Sequence, residues 1–148
     1  MENGVYRGEW TLTKRNMIGD NDTNDKMTSV SAKGVFVAKM RTRTKQFGLM
    51  AIRIFQELPR SGEAKIIGNQ FLRSSLSVGA NYRAVCRARS KAEFYAKLSI
   101  TVEEADETLF WVEILIESEI VAKDKISKFE AEGHEIIAIL SAARSNTK

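Results

Sequence analysis

Proline and cysteine are almost missing from this chain: 148 residues contain one of each, Pro59 and Cys86. A lone cysteine excludes an internal disulfide framework and fits a reducing compartment. Glycine is scarce beyond the first 40 residues. Turn-rich β folds use proline and glycine freely, whereas a helical bundle needs few of either. Histidine occurs once, at His134, so a histidine-based triad or metal site cannot be assembled within one chain. No apolar run approaches the roughly 20 residues that span a bilayer. The N-terminus lacks the charged-then-apolar order of a signal peptide, because Glu9, Trp10, Lys14 and Arg15 interrupt it. These absences predict a cytoplasmic, non-enzymatic, all-α protein with no cofactor, no metal and no membrane segment.

What is present fits one globular domain: 43% hydrophobic and 28% charged residues. Residues 1–38 stand apart. They are rich in Asn, Asp, Thr, Ser and Gly, as in 19–25, and hold no period of 3.6 or 2. Their composition predicts a disordered or loosely docked N-terminal extension, with Val35, Phe36, Val37 and Ala38 as a short apolar patch for docking. Met27 and Met40 are alternative translation starts, which an intact-mass measurement would distinguish.

From residue 39 to the C-terminus the pattern is helical. Phe47, Met50, Ala51, Ile54, Phe55 and Leu58 form one stripe, ended by Pro59. Ser61 is placed to cap a second helix, Glu63 to Ala88, whose face is Ile67, Phe71, Ser74, Val78, Tyr82 and Val85. Ser90 and Glu93 have the spacing of a capping box and open a third helix, Lys91 to Ser118. Phe94, Leu98, Thr101, Ala105, Thr108, Val112 and Leu115 make its heptad seam, beside Tyr95, Val102, Leu109 and Ile116. After a connection at Glu119–Asp124, Ile126, Phe129, Gly133, Ile136, Ile137 and Leu140 give a fourth stripe. Short connections between long amphipathic helices predict an antiparallel up-down-up-down four-helix bundle over 39–148.

Serines and a glycine interrupt the second helix at 74–80. Poor helix formers in mid-helix imply that a neighbouring backbone approaches closely. The approach is either packing inside one bundle or a contact between subunits.

Charge is divided along the chain. Residues 39–91 hold 12 Lys/Arg against 2 Asp/Glu, while residues 92–148 hold 6 against 12. One explanation is ion pairing between the halves, within or between subunits. The other is a basic surface for nucleic-acid phosphates. Lys39, Arg41, Arg43 and Lys45 open the first helix, and Arg83, Arg87, Arg89 and Lys91 close the second. An up-down hairpin puts both clusters at one end. Aromatic side chains are sparse there, with Tyr82 the nearest, which favours backbone or shape binding over base stacking.

The remaining chemistry is thin. Glu103, Glu104, Asp106 and Glu107 lack the Glu-x-x-His pairs of di-metal bundles and read as a solvated or ion-paired face. His134 reads as a surface or boundary residue. Cys86 reads as a packing residue, although Arg83 and Arg87 lie close in sequence.

Residues 70–81, Gln-Phe-Leu-Arg-Ser-Ser-Leu-Ser-Val-Gly-Ala-Asn, resemble the QLLRSxxSxGAN signature of the 23S rRNA-intervening-sequence proteins. Residues 90–98 resemble that family's SxxDFxxKL, and 103–111 its xEAxETxYW. The resemblance covers roughly Thr44 to Ala143. It implies a bacterial four-helix bundle, a homopentamer, no enzymatic activity, and kinship with the accessory variability determinant of diversity-generating retroelements, a basic pentamer that binds nucleic acid and a reverse transcriptase. It marks Arg73, Ser77, Gly79, Asn81, Glu104 and Glu107 as architectural, with Arg73 expected to bridge to Glu104 or Glu107. Where many members carry an acid after the Asn, this chain has Ala84 amid arginines.

Two functions therefore compete. The first is an oligomer that binds RNA or DNA through Arg41, Arg43, Lys45, Arg83, Arg87, Arg89 and Lys91. The second is an assembly module with a protein partner and no nucleic acid.

Overall fold

The computed structural model describes residues 25–147, with side chains from residue 34 onward. Four helices fill that span: α1 Asp25–Gln56, α2 Gly62–Val85, α3 Lys91–Glu117 and α4 Lys123–Ser145. There is no strand among the described residues.

Each helix starts and stops for a local reason. Ser61 caps α2 by accepting from Ala64 N at 3.2 Å. The last turn of α2 tightens into i→i+3 bonds, Arg87 N to Ala84 O and Ala88 N to Val85 O, both 3.1 Å. Ser90 caps α3 by accepting from Glu93 N at 3.0 Å. The reciprocal half of the expected capping box is displaced by one residue, because Glu93 Oε2 accepts from Arg89 N at 2.8 Å and not from Ser90 N. That same carboxylate also faces Lys97 and the Arg89 side chain. α4 has Ala122 at its N-cap and no side-chain cap bond.

α1 packs on α2, α2 on α3, α3 on α4 and α4 back on α1, while the diagonal backbones stay apart among the described residues. The antiparallel register can be read from close approaches. Gly79 of α2 faces Thr44 of α1, and Gly48 of α1 faces Ser75 and Leu76 of α2. Ser74 of α2 meets Thr108 of α3 at 3.0 Å between hydroxyls. Ser74, Ser75 and Gly79 thus serve packing inside one bundle. A Cβ on Gly79 would stand 3.2 Å from the Thr44 carbonyl oxygen, so that position needs the smallest side chain.

The core combines the stripes. Phe47 stacks on Phe129, centroids 4.2 Å apart, and Phe71 meets Phe129 edge-on at 5.2 Å. All three are essentially solvent-free, and each such burial is worth ~1.5–3 kcal/mol before entropic costs. The whole α3 seam is buried, and its threonines return their hydroxyls to the helix: Thr101 to Lys97 O and Thr108 to Glu104 O, both 2.8 Å. Of the second α3 line, Val102 and Leu109 are buried while Tyr95 and Ile116 are half-buried.

Helix α1 begins at Asp25, ahead of residue 39, where the bundle was expected to open. Residues 25–38, expected in a disordered or loosely docked extension, continue the helix. Phe36 packs against the core, while Val35 is exposed. Because Thr44 faces Gly79 and α2 ends at Val85, the turns before about residue 38 run past the end of α2. Residues 1–24 of the expected extension lie outside the described residues.

Candidate nucleic-acid interface

The α1–α2 register brings two basic clusters to one end of the bundle. With Thr44 against Gly79, Arg41 falls opposite Tyr82 and Arg83. Its charge acts on both Tyr82 and Cys86. The α2–α3 turn then carries Arg87 and Arg89, and α3 opens with Lys91.

Arg41, Lys45, Arg83, Arg87, Arg89 and Lys91 are all exposed, as is Lys39. Among the described residues, no carboxylate lies within 4.0 Å of Arg41, Lys45, Arg83, Arg87 or Lys91. Arg89 makes a loose pair with Glu93 at 3.9 Å and its side chain stays 82% exposed. Pairs of that kind in open solvent contribute little to stability. The cluster thus holds positive charge that the bundle itself does not neutralise.

Arg43 does not share this surface. Its Nε and Nη2 donate to Glu132 of α4, at 2.5 and 2.9 Å, and Nη2 also reaches Glu135. These hydrogen bonds hold the guanidinium pKa above its ordinary value. Helix geometry explains the separation: residues two apart do not face each other, so Arg43 turns away from Arg41 and Lys45. The i, i+2 spacing carried that signal in the sequence.

Three of the motif residues, Arg73, Glu104 and Glu107, tie α2 to α3. Arg73 Nη1 donates to Glu104 at 3.3 Å and Nη2 donates to Glu107, so it bridges to both carboxylates. Glu107 also accepts from Trp111 Nε1 at 3.1 Å. These bonds, Arg73's first, pull the Glu107 pKa below its ordinary range. Sequence reasoning missed Trp111 in this network, although its i, i+4 spacing from Glu107 was visible. Asn81 Nδ2 donates back to Ser77 O at 2.9 Å, and Gly79 admits α1.

Burial pushes the Cys86 thiol upward, away from the reactive thiolate, and the Tyr82 phenol beside it likewise. His134 is exposed on α4. Among the described residues, no three His, Cys, Asp or Glu side chains are placed to hold a metal ion. None of the described helices is long and apolar enough to cross a membrane.

Comparison with known proteins follows the same lines. No curated protein matches the chain. The crystal structure of a protein of unknown function from the S23 ribosomal protein family of Bacteroides thetaiotaomicron is similar: 28% identity, TM-score 0.69, 74% of this chain and 97% of that one covered. The family model of the 23S rRNA-intervening sequence proteins matches residues 38–142, which include every helix and every motif described above except the first turns of α1 and the end of α4. The chain belongs to the 23S rRNA-intervening sequence protein family.

Proposed function

We propose that this protein is a non-enzymatic, cytoplasmic nucleic-acid-binding protein that works as an assembly of several copies. The observation that carries the reading is the set of exposed cations at one end: Arg41 from α1, Arg83 from α2, Arg87 and Arg89 from the turn, and Lys91 from α3, of which only Arg89 has a carboxylate within 4.0 Å among the described residues. Lys45 lies one turn further along α1. Such a group releases counterions when it meets phosphates, which drives binding without base readout. Sparse aromatic groups at this end favour duplex or structured nucleic acid, bound through its backbone. The family resemblance suggests five copies, and its kinship with the retroelement determinants points the same way.

The test is fluorescence anisotropy with labelled RNA and DNA duplexes at two salt concentrations. Affinity should fall with salt by a log–log slope of about 0.9 per phosphate contacted on B-DNA. Arg87→Glu with Arg89→Glu should weaken binding by tenfold or more, at unchanged thermal stability. Absent or salt-insensitive binding at about 50 mM salt, within the range where such contacts are strong, refutes the reading.

A second reading is an assembly module that holds a protein partner and no nucleic acid. It is favoured by Arg43 and Arg73, whose charges are already spent on the acidic helices. Retention of one protein partner together with failure to bind either duplex would select it.

A further inference from the structure

The α1–α2 turn lies at the far end of α2 from Arg83, Arg87, Arg89 and Lys91. It holds a cavity of about 390 Å³, within the ~300–1,000 Å³ of ordinary ligand sites. Phe55 and Leu58 of α1, both half-buried, and the buried Ala64 of α2 give it an apolar floor. Arg60, Ser61 and Lys65 supply its polar side. The chain leaves α1 through tight bonds, Glu57 N to Ile54 O at 3.1 Å and Leu58 N to Phe55 O at 3.2 Å. Gly68 lets this last turn lie close on α2: a Cβ there would stand 2.6 Å from Leu58 Cδ1 and 3.3 Å from the Phe55 ring. The cavity floor thus depends on a bare backbone beneath it.

Charge at the cavity is one-sided. Arg60 and Lys65 are exposed, and among the described residues neither has a carboxylate within 4.0 Å. Glu57 and Glu63 are near in sequence but do not line the cavity. Ser61 Oγ accepts from Ala64 N at 3.2 Å, which fixes the hydroxyl and leaves its own proton to donate. Two cations and a hydroxyl therefore stand beside an apolar floor. That pairing suits a carboxylate carried next to an apolar side chain. The exposed rim leaves one side of the site in water, so a chain end can enter while the residues before it lead out. A helix, ~10–12 Å across with its side chains, has no room there.

We infer that this cavity captures the C-terminus of a different protein, one whose last residue is apolar. The terminal side chain covers Phe55, Leu58 and Ala64, and the carboxylate accepts from Arg60, Lys65 and Ser61 Oγ. Hydrogen bonds of this charge-assisted kind are roughly twice as strong as neutral ones, and C-terminal carboxylate capture is a recurring mode of peptide recognition. The site is separate from the nucleic-acid surface and does not rest on that reading.

Fluorescence anisotropy tests it on the full chain with a short fluorescein-labelled Gly/Ser peptide ending in Leu-Phe. The free acid should bind saturably. Its C-terminal amide, and a free acid ending in Gly-Gly, should each bind about tenfold more weakly, as expected for losing a charged contact or the apolar one. Arg60→Ala and Lys65→Ala should each weaken the Leu-Phe acid by a similar factor with circular dichroism unchanged, since both side chains are exposed. Arg87→Glu with Arg89→Glu should leave peptide affinity within twofold. Amide shifts in nuclear magnetic resonance should gather at residues 55–65. No binding of the Leu-Phe acid, equal affinity for its amide or for the Gly-Gly end, or shifts gathered at residues 83–91 overturns the inference. None of those outcomes decides whether the basic end binds nucleic acid.

Discussion

Arg43 of α1 grips Glu132 of α4 through two hydrogen bonds, Nε to Oε1 at 2.5 Å and Nη2 to Oε2 at 2.9 Å. Both side chains are less than a third exposed, at 30% and 26%. This forked geometry is the strong form of a carboxylate–guanidinium pair, and it closes the α4–α1 side of the bundle. Arg43→Ala and Glu132→Ala should each lower stability. A double-mutant cycle in urea should give a coupling of about 1 kcal/mol, at the upper end for partly exposed pairs. In the same samples Arg43→Ala should leave nucleic-acid affinity within twofold. A tenfold loss of affinity would return Arg43 to the binding surface.

Gly79 carries a sharper steric prediction. An alanine Cβ there would meet backbone atoms of Thr44, the oxygen at 3.2 Å and the carbon at 3.4 Å. Neither can rotate away, so α1 itself must yield. Overpacking of this kind costs about 1–3 kcal/mol, against a helix-propensity gain of about 1 kcal/mol for replacing glycine. Gly79→Ala should therefore be destabilising on balance, by about 1 kcal/mol in urea denaturation. A stabilised variant would mean that α1 can move outward freely.

The helices from residue 39 onward were legible because each presents one buried face to a bundle, and burial writes a period into the sequence. Phe94 to Leu115 is the plainest case, since every residue of that seam is buried. The first turns of α1 were not legible, because they extend past the last turn of α2 and Phe36, which packs against the core, is too isolated to write a period. The basic end was legible as two clusters, but not its membership: Arg43 differs from Arg41 only by the direction in which the helix turns it. The Arg73 bridge was expected from motif spacing, whereas the Trp111 bond to Glu107 was not. Met40 and Thr44 are buried too, about two turns and one turn before the stripe read from the sequence.

Among the described residues, Glu119 is the non-glycine residue with a positive φ. It has φ of 60° in the left-handed region just after α3, where glycine is the usual occupant. Its N–H bonds to Ile116 O at 2.9 Å and Val121 N–H to Leu115 O at 3.0 Å, closing the helix end. Glu119→Gly should relieve the conformation and raise stability by about 0.5–1 kcal/mol, read as an upward shift in thermal midpoint. Glu119→Val should lower it, because a β-branched side chain tolerates that region worst. Equal midpoints for the two variants would show that the turn relaxes without cost.

Trp111 offers an optical report on the Arg73–Glu107 bridge. Arg73's hydrogen bond, and then that of Trp111, hold Glu107 below its ordinary pKa of 4.5. A carboxylate with a depressed folded pKa contributes stability that is fully present above its unfolded pKa. That contribution is lost as pH falls through the folded value, so the window lies below pH 4.5. The side chain of Glu107 is 36% exposed, so solvent screening keeps the energetic effect small and the spectroscopic one more informative. In a Trp10→Phe background, Trp111 fluorescence should titrate with a midpoint below 4.5. Arg73→Ala should raise that midpoint toward the ordinary value, and Glu107→Gln should abolish the transition. A midpoint unmoved by Arg73→Ala would show that the guanidinium does not hold the carboxylate in solution, and the α2–α3 bridge would then be a contact of geometry without energetic consequence.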